Sequence, residues 1–357
     1  MTGLHFHPLR VAAVEADTAE ARVIRFESID GDTERWRFEP GQYLTLRAQV
    51  QGQDLRRSYS LCAAPGEPLR VGVRRVEGGA FSSWLHAQLE PGDVIEALPP
   101  QGHFGRALGA RPRHVLAVAG GSGITPVLSI LKAHLAASPD TRATLVYANR
   151  QAASTMFKEE LEDLKSRHLA RLALFTVFSR EQVDAPLASG RVDAERLGTV
   201  LRLVGGAASV DAAFVCGPHA MNDEVEAALR SHGVPEARIH VERFGVPPAE
   251  RSARAPQPQP GDAATARITL VRDGLTREID YTAADANLLA AATRSGLDLP
   301  FSCKSGVCAT CRAKLIEGRV RMDRQFALEP ADIAAGFVLT CQAHPLTERV
   351  VVSFDER

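Results

Sequence analysis

The sequence predicts a multi-domain protein: an antiparallel β region, then a parallel α/β sheet, then a small cysteine-bearing domain. Three observations predict it. Residues 1 to about 105 carry short apolar alternations (Leu44, Leu46; Val71, Val73) broken by turn signals at Pro40 to Gln42, Ala64 to Pro68 and Pro91 to Asp93, which suits an antiparallel barrel or sandwich. From about 112 to 245 apolar strands alternate with helical segments, the pattern of a parallel sheet with covering helices. Val246 to Ala266 then holds five prolines and almost no aliphatic bulk, so it reads as a semi-rigid linker. These patterns divide the chain at 1–108, 109–245, 246–266 and 267–357.

Size and composition bound the function. With 357 residues, 45% apolar and 24% charged, the chain is long enough for two or three domains with separate cores. A net charge of −1 excludes a dedicated nucleic-acid binder, and no apolar run reaches the roughly 18 residues of a membrane helix. The first residues lack a signal-peptide pattern, so a cytoplasmic, thiol-reducing compartment is expected.

In the β region, Arg57-Ser58-Tyr59-Ser60 occupies a strand, Val73-Arg74-Arg75 follows, and Gly78-Gly79-Ala80-Phe81-Ser82 reads as a turn. An arginine for phosphate, an aromatic for a ring system and a glycine-serine turn suit a phosphorylated flavin. Each also has a structural explanation as surface arginine, core tyrosine or hairpin turn. In the α/β region the strand from His114 to Ala119 runs into Gly120-Gly121-Ser122-Gly123-Ile124-Thr125-Pro126 and a helix. A later strand, Ala212 to Cys216, ends in Gly217-Pro218 and opens the helix holding Met221. Two glycine turns at strand carboxyl ends point to a nucleotide crevice, where helix N-termini favour phosphate.

Cys303, Cys308, Cys311 and Cys341 follow the spacing C-x4-C-x2-C with the fourth cysteine 29 residues on, the plant-type arrangement for a [2Fe–2S] cluster. Gly306 fits a loop whose backbone approaches inorganic sulfide. A structural zinc is the alternative, but zinc sites commonly pair two short knuckles and only one is present. Isolated histidines such as His103, His219 and His344 read as surface or satisfied core residues, not metal ligands.

In this order, R-x-Y-S, G-x-x-S, GGSGITP and CGP resemble the ferredoxin-NADP reductase superfamily, with a plant-type ferredoxin fused at the C-terminus. LRRSYSLC, EGGAFSSWL, PQGHFG, the SCKSGVCATCRAK loop and CQAHPL are similar to reductases serving phenylacetyl-CoA oxygenation in aerobic phenylacetate degradation. The resemblance implies an antiparallel β-barrel FAD domain, an α/β parallel-sheet NAD(P) domain and an α+β β-grasp ferredoxin domain. It implies that Arg57, Ser58, Tyr59, Ser60, Val73, Arg74, Gly79, Phe81, Ser82 and Phe244 line the flavin. Gly120, Gly121, Gly123, Thr125, Pro126, Arg150, Ser179, Arg180, Gly217, Pro218 and Met221 would line the nucleotide. Ser60, Cys216 and Glu242 would act where nicotinamide meets flavin, and the four cysteines would bind the cluster.

Ser179-Arg180 resembles the segment that receives a 2′-phosphate, favouring NADPH, with NADH possible and Glu181 adjacent. The implied route runs from NADPH through FAD and [2Fe–2S] to the oxygenase components of a multicomponent monooxygenase, a diiron oxygenase for phenylacetyl-CoA. The same layout serves reductases of other oxygenases, hydroxylases or desaturases, and a redox-sensing protein without turnover is a further alternative. Lys304, Arg312, Lys314, Arg319, Arg321 and Arg324 suggest a basic rim for the partner.

Overall fold

The structure is a computed structural model describing residues 5–185, 187–246 and 259–356. These fall into two compact units, Phe6–Phe244 and a unit built on Gly245–Arg357.

The first unit begins with β1 (His7–Thr18), β2 (Ala21–Ser28), β3 (Tyr43–Val50), β4 (Gln53–Ser60), β5 (Arg70–Arg74) and β6 (Val94–Ala97). They form an antiparallel sheet in the order β4-β3-β6-β1-β2-β5. An antiparallel bridge between Leu61 and Val71, with Cys62 N–H donating to Arg70 O at 3.1 Å, joins the ends and makes a barrel, not a sandwich. Leu9, Ile24, Phe26, Leu44, Leu46, Val71 and Val73 alternate inward. The expected turn at Gly78 to Ser82 is instead the entry to α1 (Ala80–Gln88), with Gly79 as N-cap. Two adjacent glycines dominate that stretch, and α1 shows only the short buried stripe of Phe81, Ser82 and Leu85, which hides its period.

The second sheet is parallel: β7 (His114–Gly120), β8 (Arg142–Asn149), β9 (Leu172–Phe178), β10 (Ala212–Gly217) and β11 (Ile239–Arg243), ordered β11-β10-β7-β8-β9. Every residue of β7 and β10 is buried, as central strands covered on both faces must be. On one face α4 (Ala194–Leu203) and α5 (His219–Ser231) pack. On the other lie α2 (Ile124–Ala137), α3 (Lys158–Arg167) and the barrel itself.

The sequence predicts separate barrel and α/β cores. Instead Ala21, Val23, Cys62 and Phe104 of the barrel region belong to the same apolar cluster as Val115, Ile124 and Leu128. Polar links cross this junction. Ser129 Oγ donates to Ala63 O at 2.6 Å, and Lys132 Nζ lies 2.5 Å from Glu67 and 2.9 Å from Glu160, which also pairs with Arg70. Asp17 accepts the Phe157 N–H at 2.9 Å, steadying a left-handed residue (φ 54°) just before α3.

The second unit contains β12 (Thr265–Arg272), β13 (Leu275–Thr282), β14 (Arg312–Glu317), β15 (Val320–Met322), β16 (Phe337–Leu339), β17 (Ala343–Pro345) and β18 (Arg349–Ser353). Its five-stranded sheet, β13-β12-β18-β14-β16, is antiparallel except for the parallel β12–β18 pair, and β15 pairs with β17. Helix α6 (Leu288–Arg294) buries Leu288, Leu289, Ala291 and Ala292, while Asn287 caps it by accepting Ala290 N–H at 2.9 Å. The result is an α+β β-grasp. β12 starts at Thr265, two residues inside the expected linker, and Ala266 is buried opposite Tyr281. Small residues at the strand edge look linker-like in sequence. Most of the proline-rich segment, 247–258, lies outside the described residues. Among the described residues no helix is long and apolar enough to cross a membrane.

Candidate functional site

The order of the parallel sheet reverses between β7 and β10, placing their carboxyl-end turns side by side. Their glycines mainly let these turns touch each other. A Cβ on Gly123 would meet Cys216 O at 2.0 Å, one on Gly120 would meet Pro218 at 2.7 Å, and one on Gly217 would meet Met221 at 2.4 Å. Gly121 differs: its φ is +54°, and the nearest atom to its hypothetical Cβ is Arg74 Nη1 at 3.1 Å. Thr125 Oγ1 donates to Ser122 O at 3.0 Å and Pro126 is buried in the first turn of α2, so both fix the loop.

Cys216 and Glu242 are cross-strand neighbours on β10 and β11. Burial pushes the Cys216 thiol well above its ordinary value, and the nearby Glu242 charge adds to this. Glu242 is raised to about 8 by burial alone, and its Oε2 is sealed from solvent with no hydrogen-bond partner among the described residues. Its backbone O accepts Asn222 Nδ2 at 3.0 Å, which fixes the strand end. A buried carboxyl oxygen without a partner among the described residues, on a group whose pKa burial raises, suits the amide of a nicotinamide. Phe244, 40% exposed, ends this segment.

On the barrel, Tyr59 stacks on Phe81 at 6.2 Å between ring centroids, and burial raises its phenol. Phe81 is therefore the support behind Tyr59, buried in the barrel core. Val73, expected at the flavin, is also a core side chain, and its carbonyl contacts His86 Nε2 at 2.9 Å. Ser58 Oγ lies 3.1 Å from Thr45 Oγ1, and Ser60 is buried. Arg57 is exposed, its guanidinium donating to Arg56 O at 2.7 Å. Ser82 Oγ accepts Val76 N–H at 3.1 Å, tying the loop to the N-terminus of α1. That helix start offers N–H groups to an anion, a better cradle than the turn expected there.

Beyond β8 and β9, Arg180 N–H donates to Arg150 O at 2.9 Å and Ser179 N–H to Asn149 O at 2.9 Å. Arg150, Arg180, Gln151, Ser154, Arg74 and Glu20 line one cleft of about 230 Å³. Arg74 thus sits with the nucleotide residues, although its motif places it with the flavin. Glu181, the residue that would favour a free ribose hydroxyl, accepts the Ala152 N–H at 2.7 Å and is engaged in its own loop.

In the second unit the cysteine loop has positive φ at Lys304 (53°), Gly306 (80°) and Ala309 (53°), a winding that turns backbone N–H groups inward. Ser305 N–H donates to Cys303 Sγ at 3.3 Å and Cys303 N–H to Cys308 Sγ at 3.5 Å. The Gly306 N–H serves Cys341, and Gln342 Nε2 reaches Cys341 Sγ at 3.5 Å. Cys303 pairs with Cys308 and Cys311 with Cys341; in each pair the hydrogen-bond-accepting sulfur, on Cys303 or Cys341, is held below its ordinary pKa by its partner thiol. Two thiol pairs, supplied with N–H donors, make up the four-cysteine donor set that a two-iron cluster would need. A Cβ at Gly306 would meet Arg324 Cβ at 3.0 Å, so tight packing adds to the φ requirement there.

Three of the six charges of the expected basic rim are engaged inside the domain. Arg312 pairs with Asp332 at 2.8 Å, Arg321 with Asp262 at 2.8 Å and with Asp323, and Lys314 with Ala335 O. Sequence alone counts these charges without their partners. His344 is buried against Asp323 at 2.7 Å, and His103 accepts from Arg106 at 2.9 Å, both satisfied as expected. Cys62 is buried and pushed up to about 12 by its surroundings, an inert core thiol.

Three family models match in chain order: an oxidoreductase FAD-binding domain over 8–105, an oxidoreductase NAD-binding domain over 117–227, and a 2Fe-2S iron-sulfur cluster binding domain over 270–346. The chain is 44% identical to a subunit of the 1,2-phenylacetyl-CoA epoxidase of Escherichia coli (strain K12), across 99% of this chain and 98% of that one. It belongs to the ferredoxin-NADP reductase superfamily. The 3-ketosteroid-9-alpha-monooxygenase ferredoxin reductase component of Rhodococcus rhodochrous is 35% identical over 97% of this chain and 96% of that protein. Phthalate dioxygenase reductase shares the fold, with a TM-score of 0.60 at 23% identity over 98% of each chain. The chain is accordingly an FAD- and NAD-binding iron–sulfur oxidoreductase that transfers electrons.

Proposed function

We propose that this protein is the reductase component of a multicomponent oxygenase acting on phenylacetyl-CoA, that it resides in the cytoplasm, and that it draws electrons from NADPH. The 44% identity over nearly the whole chain to an epoxidase subunit carries the choice of partner. The arginines of the cleft beyond β8 and β9, with Glu181 engaged elsewhere, support the choice of nucleotide.

Tyr59 would pack against the flavin ring, the start of α1 with Arg57 would hold its diphosphate, and Ser60 would hydrogen-bond to the ring. Phe81 and Val73 act from behind, by packing. The paired turns after β7 and β10 hold the nucleotide diphosphate through Gly121 and the N-termini of α2 and α5. Glu242, kept protonated by burial, donates to the nicotinamide amide and orients the ring beside Cys216. When bound, flavin accepts hydride as an electron pair and releases electrons singly to the one-electron cluster. Cys303, Cys308, Cys311 and Cys341 hold that cluster, and the N–H groups around them stabilise the negative charge of their sulfurs.

Reconstitution tests the partner: with NADPH and phenylacetyl-CoA oxygenase components, the protein should sustain substrate-dependent NADPH oxidation. Failure there with activity in a steroid system would favour the second reading, which the 35% identical steroid reductase supports. For the nucleotide, Arg180→Ala removes a charge-assisted phosphate contact. The KM for NADPH should rise about ten- to a hundredfold. A wild-type kcat/KM for NADH equal to that for NADPH would refute the preference.

A further inference from the structure

We propose that Arg74, carried by the barrel, is a third guanidinium for the 2′-phosphate, and that Glu20 holds it ready and competes with the phosphate for it. This inference rests on the NADPH reading above.

The placement of Arg74 carries it. Arg74 ends β5, a barrel strand, yet its guanidinium lies over the glycine turn of the α/β sheet, close to Gly121. There it shares a cleft with Arg150 and Arg180, whose loops follow β8 and β9. Its own partner is Glu20, from the loop between β1 and β2, with Nη2 2.8 Å from Oε2. A barrel strand end and a barrel loop therefore reach into a pocket otherwise built by the nucleotide domain.

Charge decides what the pocket accepts. Three guanidiniums face one carboxylate, leaving two net positive charges against a phosphate monoester that carries nearly two negative ones. Glu20 is half exposed, and an exposed ion pair of this kind is worth little, so it yields to a doubly charged, fork-matched anion. Arg74 exchanges Glu20 for phosphate. Because Arg74 belongs to the barrel, the exchange also ties the bound nucleotide to the half of the unit that carries the flavin.

Calorimetric titration of the holoprotein with 2′-AMP and 5′-ADP tests this without turnover. Arg74→Ala should weaken 2′-AMP by about ten- to a hundredfold while FAD content and 5′-ADP binding stay at wild-type levels. Glu20→Gln should tighten 2′-AMP by about threefold, and that gain should vanish in the Arg74→Ala background. Three results would overturn the assignment: unchanged 2′-AMP binding in Arg74→Ala, a loss that falls on 5′-ADP or FAD instead, or a Glu20→Gln gain that persists without Arg74. Arg180→Ala separates the two layers. If it weakens 2′-AMP and Arg74→Ala does not, only this inference fails; if wild-type protein binds no 2′-AMP, the NADPH reading fails with it.

Discussion

The barrel and the parallel sheet share one apolar cluster, with Cys62 and Phe104 packed among Val115, Ile124 and Leu128, and the junction is crossed by Ser129, Lys132, Glu160 and Asp17. The β-grasp unit keeps its own core around Ile268, Leu288, Val350 and Val352. The chemistry assigned to each explains the contrast. Hydride transfer requires the reacting atoms to sit about 3–3.5 Å apart, so the halves that hold flavin and nicotinamide must be one rigid body. A single electron can move without such contact, so the cluster can reside in a unit that folds around its own core.

The sharpest way to break this comparison is to remove the cluster alone. Cys303→Ser, Cys308→Ser, Cys311→Ser or Cys341→Ser should each lower iron content from two per chain towards none and bring electron delivery to the oxygenase to background. Iron analysis and visible absorption would check the loss, and zinc at one per chain in wild-type protein would refute the cluster.

A second substitution attacks the rigid unit from within. In Gly123→Ala the new Cβ would lie 2.0 Å from Cys216 O, backbone that cannot step aside without moving β10. Overpacking of that severity costs about 3 kcal/mol, or roughly 6–12 °C in Tm for a unit of this size. Calorimetry should show the transition of the larger unit falling while that of the cluster unit stays in place. A joint fall would mean the units unfold together.

Glu242 gives a smaller, pH-dependent effect. Its folded pKa, about 8, lies above the ordinary carboxylate value, so the folded state holds the proton more tightly than the unfolded one. The resulting stability is complete below the ordinary carboxylate range and is lost as pH rises through about 8. The slope is at most about 1.4 kcal/mol per pH unit. Glu242→Gln should flatten this slope in unfolding measured from pH 5 to 9, and should abolish a decline in flavin reduction above pH 8.

Ser129→Ala should have the smallest effect, lowering the stability of the first unit by about 1–2 kcal/mol, because Ala63 O loses its buried donor. Denaturant midpoints would measure it. No change would show that the shared core, without this polar link, sets the junction.

Much of this organisation is legible because it is written in local sequence. The cysteine spacing, the two glycine turns and the alternation of strands and helices are short-range patterns, and the β-grasp, the barrel and the parallel sheet appear where those patterns stand. What escapes depends on distant partners. Arg74 reads as a flavin residue from the Val73-Arg74-Arg75 segment, but Glu20 and Gly121 show where its guanidinium lies. Val73 and Phe81 belong to motifs, yet their side chains serve the core. Arg312 and Arg321 read as docking charges until Asp332 and Asp262 are seen beside them. The glycines of the nucleotide turns read as room for a ligand, whereas Gly123 and Gly217 mainly make room for the neighbouring turn.

The division of labour between the two units is tested most directly by anaerobic stopped-flow mixing of NADPH with wild-type and Cys341→Ser protein, following flavin bleaching and cluster reduction separately. Flavin should bleach at the same rate in both proteins, with the later cluster phase present only in the wild type. Flavin bleaching that collapses together with the cluster phase in Cys341→Ser would contradict that division.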